Sequence, residues 1–505
     1  MVIGRSVVRG CQNVGMPAQT SPSSTDEPVT ATTPIAAMQS GTDLARTVSR
    51  AHLFHLSGDA VAGRAAQHLI SVPDGAVAVD AAGVIVYSGP YDQLPQEYSE
   101  YRVLDHRGGF ILPGFVDAHM HYPQTFLCNA YGGGQLLEWL ERCIFPGESR
   151  YSDPEYAAVA AETFCRNRIA VGTTAAMVFG SAFPVAQDAL FEASVRHGLR
   201  IVSGRGIQTV GPSSADALIT DEDTAIELAA DEVLRWHGGD LTDVALVPRF
   251  SLSVTRRTLT ALGELYESVR GQGVYFHSHL SENDRPVTGE VAAVRAAYEV
   301  ADYLDTYDGR FLPGSDKGGH SLLGPRSILA HAVHCTDREL ARMAETGTSI
   351  AHCPTSQLFL GSGTMPWRRT VAHGVTIALG SDVGAGDEWS IARVASDSYK
   401  VHMSEPGADA IALDPAELLL SATLAGARAL DRADTFGNLE VGRHADLLVV
   451  EPARLESLGR SLEWAVRADD EQMATAQTLF ALLLGLRPEA IAGVYVRGVC
   501  VSERA

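Results

Sequence analysis

Residues 115 to 121 read FVDAHMH, a short apolar run that ends in two histidines spaced two apart. In an extended strand, residues i and i+2 point to the same face, so His119 and His121 aim together from one strand tip. Seven more segments repeat the theme of an apolar run, a polar tip and a helix-like stretch. They are VGTTAAMVFG (171–180), LRIVSGRG (199–206), VALVPRF (244–250), VYFHSHL (274–280), SILAHAVH (327–334), TSIAHCP (348–354) and TIALGSDV (376–383). Amphipathic stretches lie between them, such as 153–170 and 336–347, with Asp153 and Thr336 as N-cap candidates and Gly347 just past a helix end. Eight β-α units of this spacing predict a (β/α)₈ TIM-like barrel, whose catalytic groups sit at the C-terminal ends of its strands. An open doubly wound sheet is the competing arrangement.

The chain ends read differently. AVAVDAAGVIVYSG (76–89) alternates as a hairpin does, and HADLLVVE (444–451) and VYVRGVCV (494–501) show matching strand patterns. Both ends are therefore expected to build one small β-sandwich domain, with residues 47–110 as its first part and 436–505, which also holds a helical segment, as its second. The barrel would then span 111–435. The first 46 residues are expected to be a disordered extension, because Gly15 to Thr42 is rich in Ser, Thr and Pro and has little to bury.

Composition narrows the function. With 39 basic and 61 acidic side chains the net charge is −22, which repels phosphate backbones, so no nucleic-acid partner is expected. No apolar run reaches the ~18 residues of a membrane span. The seven cysteines are scattered without a C-x-x-C pair, a pattern that suits a reducing compartment, and the cytoplasm is the expected location.

The polar strand tips carry the chemistry. His119 and His121 end the first barrel strand, His279 the fifth, His331 the sixth and Asp382 the eighth. Such a set of imidazoles and a carboxylate suits Zn²⁺ or a similar first-row ion, with an open position for water. Taken singly, each histidine is more readily a hydrogen-bonding residue than a ligand; it is their convergence in one barrel mouth that changes the reading. His277 shares the face of His279 but lies a pleat deeper and is read as packing. Glu282, three residues after His279, is placed to move protons for a water whose pKa a cation lowers to about 7. The glycine stretches YGGGQ, LGSGT and GAGD lack the spacing of a phosphate-binding loop and are read as active-site loops.

PGFVDAHMH, HSHLSEN, ILAHAVH, LGSDVGAG and the closing GNLEVGRHADLLVVEP resemble the amidohydrolase superfamily, in its cytosine and guanine deaminase branch. HYPQTF (121–126), LLEWLERCIFPGE (136–148), PRF (248–250), AHCPTSQLFLGSG (351–363) and SDSYK (396–400) are similar to the guanine deaminases. The resemblance implies one zinc ion per chain on His119, His121, His279 and Asp382. It implies Glu282 as proton shuttle, with Asp382 assisting and His331 near the attacking oxygen. Gln124, Arg249 and Phe250 would recognise a purine base, guanine would become xanthine and ammonia without an organic cofactor, and the protein would be a homodimer. The chain departs from the family pattern at Gln357, where an Asn is usual in a segment expected to line the pocket. It also departs in SLSVT after PRF, in GRGIQTVGPSS, and at Asp387 and Glu388. These departures leave another aminopurine, a pterin or a related aminated heterocycle open as substrate, and a different C–N hydrolysis beside them. A non-catalytic scaffold is the reading from another class, and it conflicts with the full set of ligand candidates.

Overall fold

The computed structural model describes residues 43–284, 289–309, 319–467 and 470–503, and the expected disordered stretch from Gly15 to Thr42 lies outside them. Both chain ends meet in one seven-stranded sheet. Its strands are β1 (Thr47–Leu56), β2 (Leu69–Val79), β3 (Ile85–Pro90) and β4 (Arg102–Pro113) from the N-terminal side. The barrel strands follow as β5 to β13, and β14 (Leu447–Val450), β15 (Ile491–Val496) and β16 (Val499–Glu503) complete the sheet from the C-terminal side. The order is β16-β15-β14-β4-β1-β2-β3, so the ends are joined where β14 pairs antiparallel with β4. The expected hairpin is β2 with β3, in register from Gly75 opposite Pro90 to Val79 opposite Ile85.

The barrel is a parallel path of eight strands: β5 (Phe115–His121), β6 (Thr173–Phe179), β7 (Arg200–Gly204), β9 (Thr242–Pro248), β10 (Tyr275–Leu280), β11 (Ser327–His331), β12 (Ser349–His352) and β13 (Ile377–Leu379). A two-residue strand, β8 (Gly206–Ile207), pairs beside β9. Every residue of β5, β6 and β10 is buried, as expected of parallel strands covered on both faces. Each of the eight apolar runs read from the sequence supplies one strand of this path. The passage from sheet to barrel is Gly114, whose backbone N–H donates to Asp446 O at 2.9 Å. A Cβ there would lie 2.1 Å from Thr174 Oγ1, so only glycine fits between β4 and β5.

The helices that cover the barrel start and stop at the residues marked in the sequence. Asp153 accepts from Glu155 N and Tyr156 N to open the helix Pro154–Ala170. Thr336 and Glu339 form a reciprocal capping box on Asp337–Thr346, which ends at Gly347 with φ +77°. The C-terminal helices Glu456–Ala465 and Glu471–Gly485 bury Leu458, Leu462, Leu479, Leu482 and Leu483 in the main hydrophobic cluster. Phe480 packs edge-on against Tyr399, which seats this segment on the helix Ile391–Ser404. Among the described residues, no helix is long and apolar enough to cross a membrane.

Candidate active site

Backbone bonds close the barrel at its mouth. Asp382 N donates to His119 O and His121 N donates to Val383 O, both at 2.9 Å, so the segment after β13 is zipped to β5 between the two histidines. Asp117 locks the same seam from below. Its Oδ1 accepts from His119 N and Ser381 N, and its Oδ2 from Ser381 Oγ and Arg168 Nη1, the last at 2.5 Å with both side chains fully buried. Ser281, His331, Ala332 and Asp382 have positive φ of +48°, +75°, +51° and +50°. Non-glycine residues adopt that region at a cost, and such strain collects where side chains must be aimed.

The structure brings His119, His121, His279, His331 and Asp382 together. Ligand atoms of His119, His279, His331 and Asp382 lie within 4.8 Å of one another, and His121 Nε2 is 3.2 Å from Asp382 Oδ1 and 3.1 Å from His279 Nε2. Hydrogen bonds fix which nitrogen is bare. His277 Nδ1 faces the carbonyl of Ile328 at 2.8 Å and must donate to it, so neutral His277 presents a lone pair on Nε2. That nitrogen is 2.8 Å from His119 Nδ1, which therefore carries the proton and leaves His119 Nε2 bare. His279 Nδ1 likewise donates to Arg249 O at 2.6 Å, which bares His279 Nε2. Burial pushes the His277 and His279 imidazoles well below their ordinary pKa and that of His121 down to about 4, so the rings stay neutral. His119 Nε2 has no hydrogen-bond partner although it is buried. Bare imidazole nitrogens crowded around a carboxylate are a donor set that fits a divalent first-row cation.

Asp382 Oδ2 accepts from Ser356 Oγ at 2.6 Å, which orients the carboxylate. Burial alone would raise its pKa, but the imidazoles of His119, His121 and His331 outweigh burial and hold it well below the ordinary range. Glu282 goes the other way: burial, then the negative charges of Asp382 and Glu290, raise its carboxyl well above 4.5. Its Oε2 lies 3.3 Å from His331 Nε2, and its Oε1 accepts from Ser362 Oγ at 3.5 Å. A carboxyl whose proton affinity is raised beside a cation-ready cluster is suited to relay protons.

A cavity opens on this cluster, lined by His121, Gln124, Arg249, Phe250, His279, Glu282, Glu290 and Asp382, with apolar wall from Leu136, Trp139, Leu140, Leu360 and Ala385. Arg249 is held by Glu148 through two parallel bonds, Nη1 to Oε2 at 2.6 Å and Nη2 to Oε1 at 3.1 Å. Gln124 Nε2 donates to the same Oε1 at 2.9 Å, and its own Oε1 accepts from Gly384 N at 3.0 Å. These bonds leave further guanidinium N–H groups of Arg249 for a carbonyl acceptor, and the Arg–Glu pair carries no net charge, which suits a neutral ligand.

Of the metal, catalytic and substrate-binding candidates named from the sequence, Gln357 alone is absent from both the cluster and the cavity lining. It sits buried on the short helix Pro354–Leu360 with neither amide atom hydrogen-bonded. The sequence reading missed Glu148, Ser356 and the bond from His277 to His119. Glu148 closes the quoted segment LLEWLERCIFPGE and Ser356 precedes Gln357, so both lay inside motifs that had been noticed, whereas His277 was set aside as packing. Among the glycine stretches, LGSGT carries Ser362 to Glu282, and GAGD places Ala385 on the cavity wall.

Residues 110–500 match the model of the amidohydrolase family. A probable guanine deaminase of Deinococcus radiodurans is 38% identical over 443 residues, covering 85% of this chain and 93% of that protein. The guanine deaminase of Escherichia coli is 33% identical over 404 residues, covering 80% and 85%. The solved E. coli guanine deaminase superimposes with a TM-score of 0.79 at 30% identity, covering 91% of this chain and 99% of that one. An adenosine deaminase of Xanthomonas campestris with bound zinc superimposes with a TM-score of 0.69 at 26% identity, covering 90% and 92%. A family match over most of the chain, joined by relatives of nearly the same length, makes this protein a member of the amidohydrolase family and a hydrolase of C–N bonds.

Proposed function

We propose that the protein hydrolyses guanine to xanthine and ammonia, using one zinc ion held by His119, His121, His279 and Asp382. The observation that carries the reading is the cavity itself: Arg249 and Gln124, both tied to Glu148, line the same space as Glu282, His121, His279 and Asp382. Guanine deaminases among the full-length relatives support the substrate, and the zinc-bound adenosine deaminase supports the metal.

The bound cation supplies Lewis acidity, which brings a water to hydroxide strength at neutral pH. Everything else falls to the chain. Arg249 donates to the ring carbonyl of the base, Gln124 reads the ring edge, and Phe250 packs against it. Glu282 takes a proton from the water and delivers it to N3 of the ring as the new C2–O bond forms. The hydroxyl now on C2 gives up its proton, Glu282 relays it to the exocyclic amine, and as the C2=O bond forms the amine leaves with the C–N bonding pair as ammonia. Asp382 assists the first proton transfer, and His331, 3.3 Å from Glu282, steadies the oxygen at C2. The apolar wall of Trp139, Leu136 and Leu360 limits water around the base.

We extend the proposal to a homodimer in the cytoplasm. The cysteines are free thiols wherever the structure describes them, which supports a reducing compartment, and light scattering of the purified protein tests the dimer.

The deciding experiment measures metal by elemental analysis and ammonia and xanthine from guanine, for the wild type and for Glu282→Gln. The expected result is about one zinc per chain in both and a loss of at least ~10²-fold in kcat for the variant. Faster turnover of another aminopurine or a pterin than of guanine, across a panel of heterocycles, would overturn the substrate.

A further inference from the structure

Glu282 and Asp382 have roles in the proposed reaction, but a third carboxyl on the cavity wall, Glu290, has none. It is buried, and each of its oxygens is occupied. Oε2 accepts from the backbone N–H groups of Glu282 at 3.2 Å and Asn283 at 3.4 Å. Oε1 accepts from Tyr303 Oη at 2.6 Å. The next helical residue returns the tie, with Val291 N donating to Asn283 O at 3.1 Å. These bonds grip the turn just past β10, at the residue whose side chain reaches His331 and Ser362. The turn needs a grip, because Ser281, which precedes Glu282, has φ +48°. The segment that bears Tyr303 also braces the strand tip itself: Tyr307 Oη donates to His279 O at 2.9 Å and its ring lies 6.0 Å from that of Tyr303.

We propose that Glu290, oriented by Tyr303, is a positioning residue that sets the backbone of Glu282 and so aims the proton-transferring carboxyl at the substrate. The inference rests on the reading of Glu282 as the proton shuttle. A misplacement of about 1 Å at a reacting group costs on the order of 10²-fold, so a loosened turn is felt in turnover and not in binding. Glu290 acts as an acceptor of backbone N–H bonds. A glutamine carbonyl at this position accepts the same pair, and alanine accepts neither.

The test compares Glu290→Ala, Glu290→Gln and Tyr303→Phe in the full chain. Each is measured for zinc content, melting temperature, kcat and KM, and for hydrogen exchange at the amides of Glu282 and Asn283. For Glu290→Ala the expected result is a kcat about 100-fold lower, a KM within about threefold of wild type, full zinc and lost protection at those two amides. Glu290→Gln should stay within about tenfold of wild-type kcat and keep the protection, with Tyr303→Phe between the two. Unchanged exchange in Glu290→Ala overturns the proposal, as does a KM rise at constant kcat, which would make Glu290 a substrate contact. A loss that follows zinc or melting temperature, or a Gln variant as impaired as the Ala variant, overturns it too. The exchange measurement needs no substrate, so a wild type inactive on guanine sinks the functional reading and leaves the positioning claim decided on its own.

Discussion

His277 shows how a residue outside the donor set governs it. Its Nε2 accepts the hydrogen bond that His119 Nδ1 donates, and its own Nδ1 is committed to Ile328 O, so the pair has one tautomer available. Replacing His277 with Phe keeps the volume class and removes the acceptor, which strands a buried N–H on His119 and lets the wrong nitrogen face the cation. Partners of this kind are worth 10–100-fold in metal affinity, so His277→Phe should lose zinc to a chelator at 10–100-fold lower chelator activity than wild type, read by elemental analysis after dialysis. Glu148 makes the matching case for the wall proposed to bind the base. With Glu148→Gln, Arg249 is buried without a countercharge and loses one arm of its fork, so KM should rise at least ~10-fold while zinc content stays unchanged. The sequence named Arg249 and Gln124 without their common partner, and the reason is physical. Glu148 and Arg249 stand 101 positions apart, and nothing in local spacing tells that a glutamate after one loop meets the arginine after another strand. The part His277 plays was illegible for a similar reason: the two-residue period gave its face, but not the imidazole from another strand that waits there.

At the scale of elements, what was legible is what local chemistry dictates. Thr336, Glu339 and Gly347 mark both ends of one helix because a cap is a bond between neighbours in sequence. Thr336→Ala removes the side-chain acceptor for Glu339 N and should cost about 1 kcal/mol, seen as a lower denaturation midpoint with kcat and zinc content unchanged. The eight strands were equally legible, since parallel strands buried on both faces read as unbroken apolar runs. Closure was not. The strand β13 is only three residues long, and the barrel is finished by backbone bonds at Asp382 and Val383, which a glycine and a serine separate from the apolar run. The same bonds set Asp382 among the histidines, so the joint that completes the fold is the one that assembles the cluster. Gln357 illustrates the opposite limit: the sequence motif pointed to a pocket residue, and the structure buries it on the helix Pro354–Leu360 with its amide unpartnered and outside the residues that line the cavity.

At the scale of the whole molecule, buried titratable groups away from the cluster set how stability follows pH. Burial lowers His52 and His402 to about 4, so in the folded chain they stay neutral where the unfolded chain would take up protons, below about 6.5. Between pH 4 and 6.5 the unfolded state therefore binds more protons, and these two groups make stability rise with pH. Glu232 works in the other direction. It is buried beside Arg205 with Oε1 unpartnered, and burial raises its carboxyl to about 8. Between 4.5 and 8 the folded state keeps a proton that the unfolded state releases, so its contribution falls by up to ~1.4 kcal/mol per pH unit. The histidines oppose it below pH 6.5 and no longer titrate above, where Glu232 and Glu290, the latter raised by burial to about 7, both act against stability. Thermal unfolding measured from pH 4.5 to 9 should thus give a maximum near pH 6.5 and a decline toward pH 8. Glu232→Gln removes the titrating group while retaining an acceptor for Arg205 N, so in that variant the rise below pH 6.5 should persist and the decline above it should flatten. An alkaline decline of wild-type steepness in the variant would place its cause elsewhere, in the mutual repulsion of a chain with net charge −22.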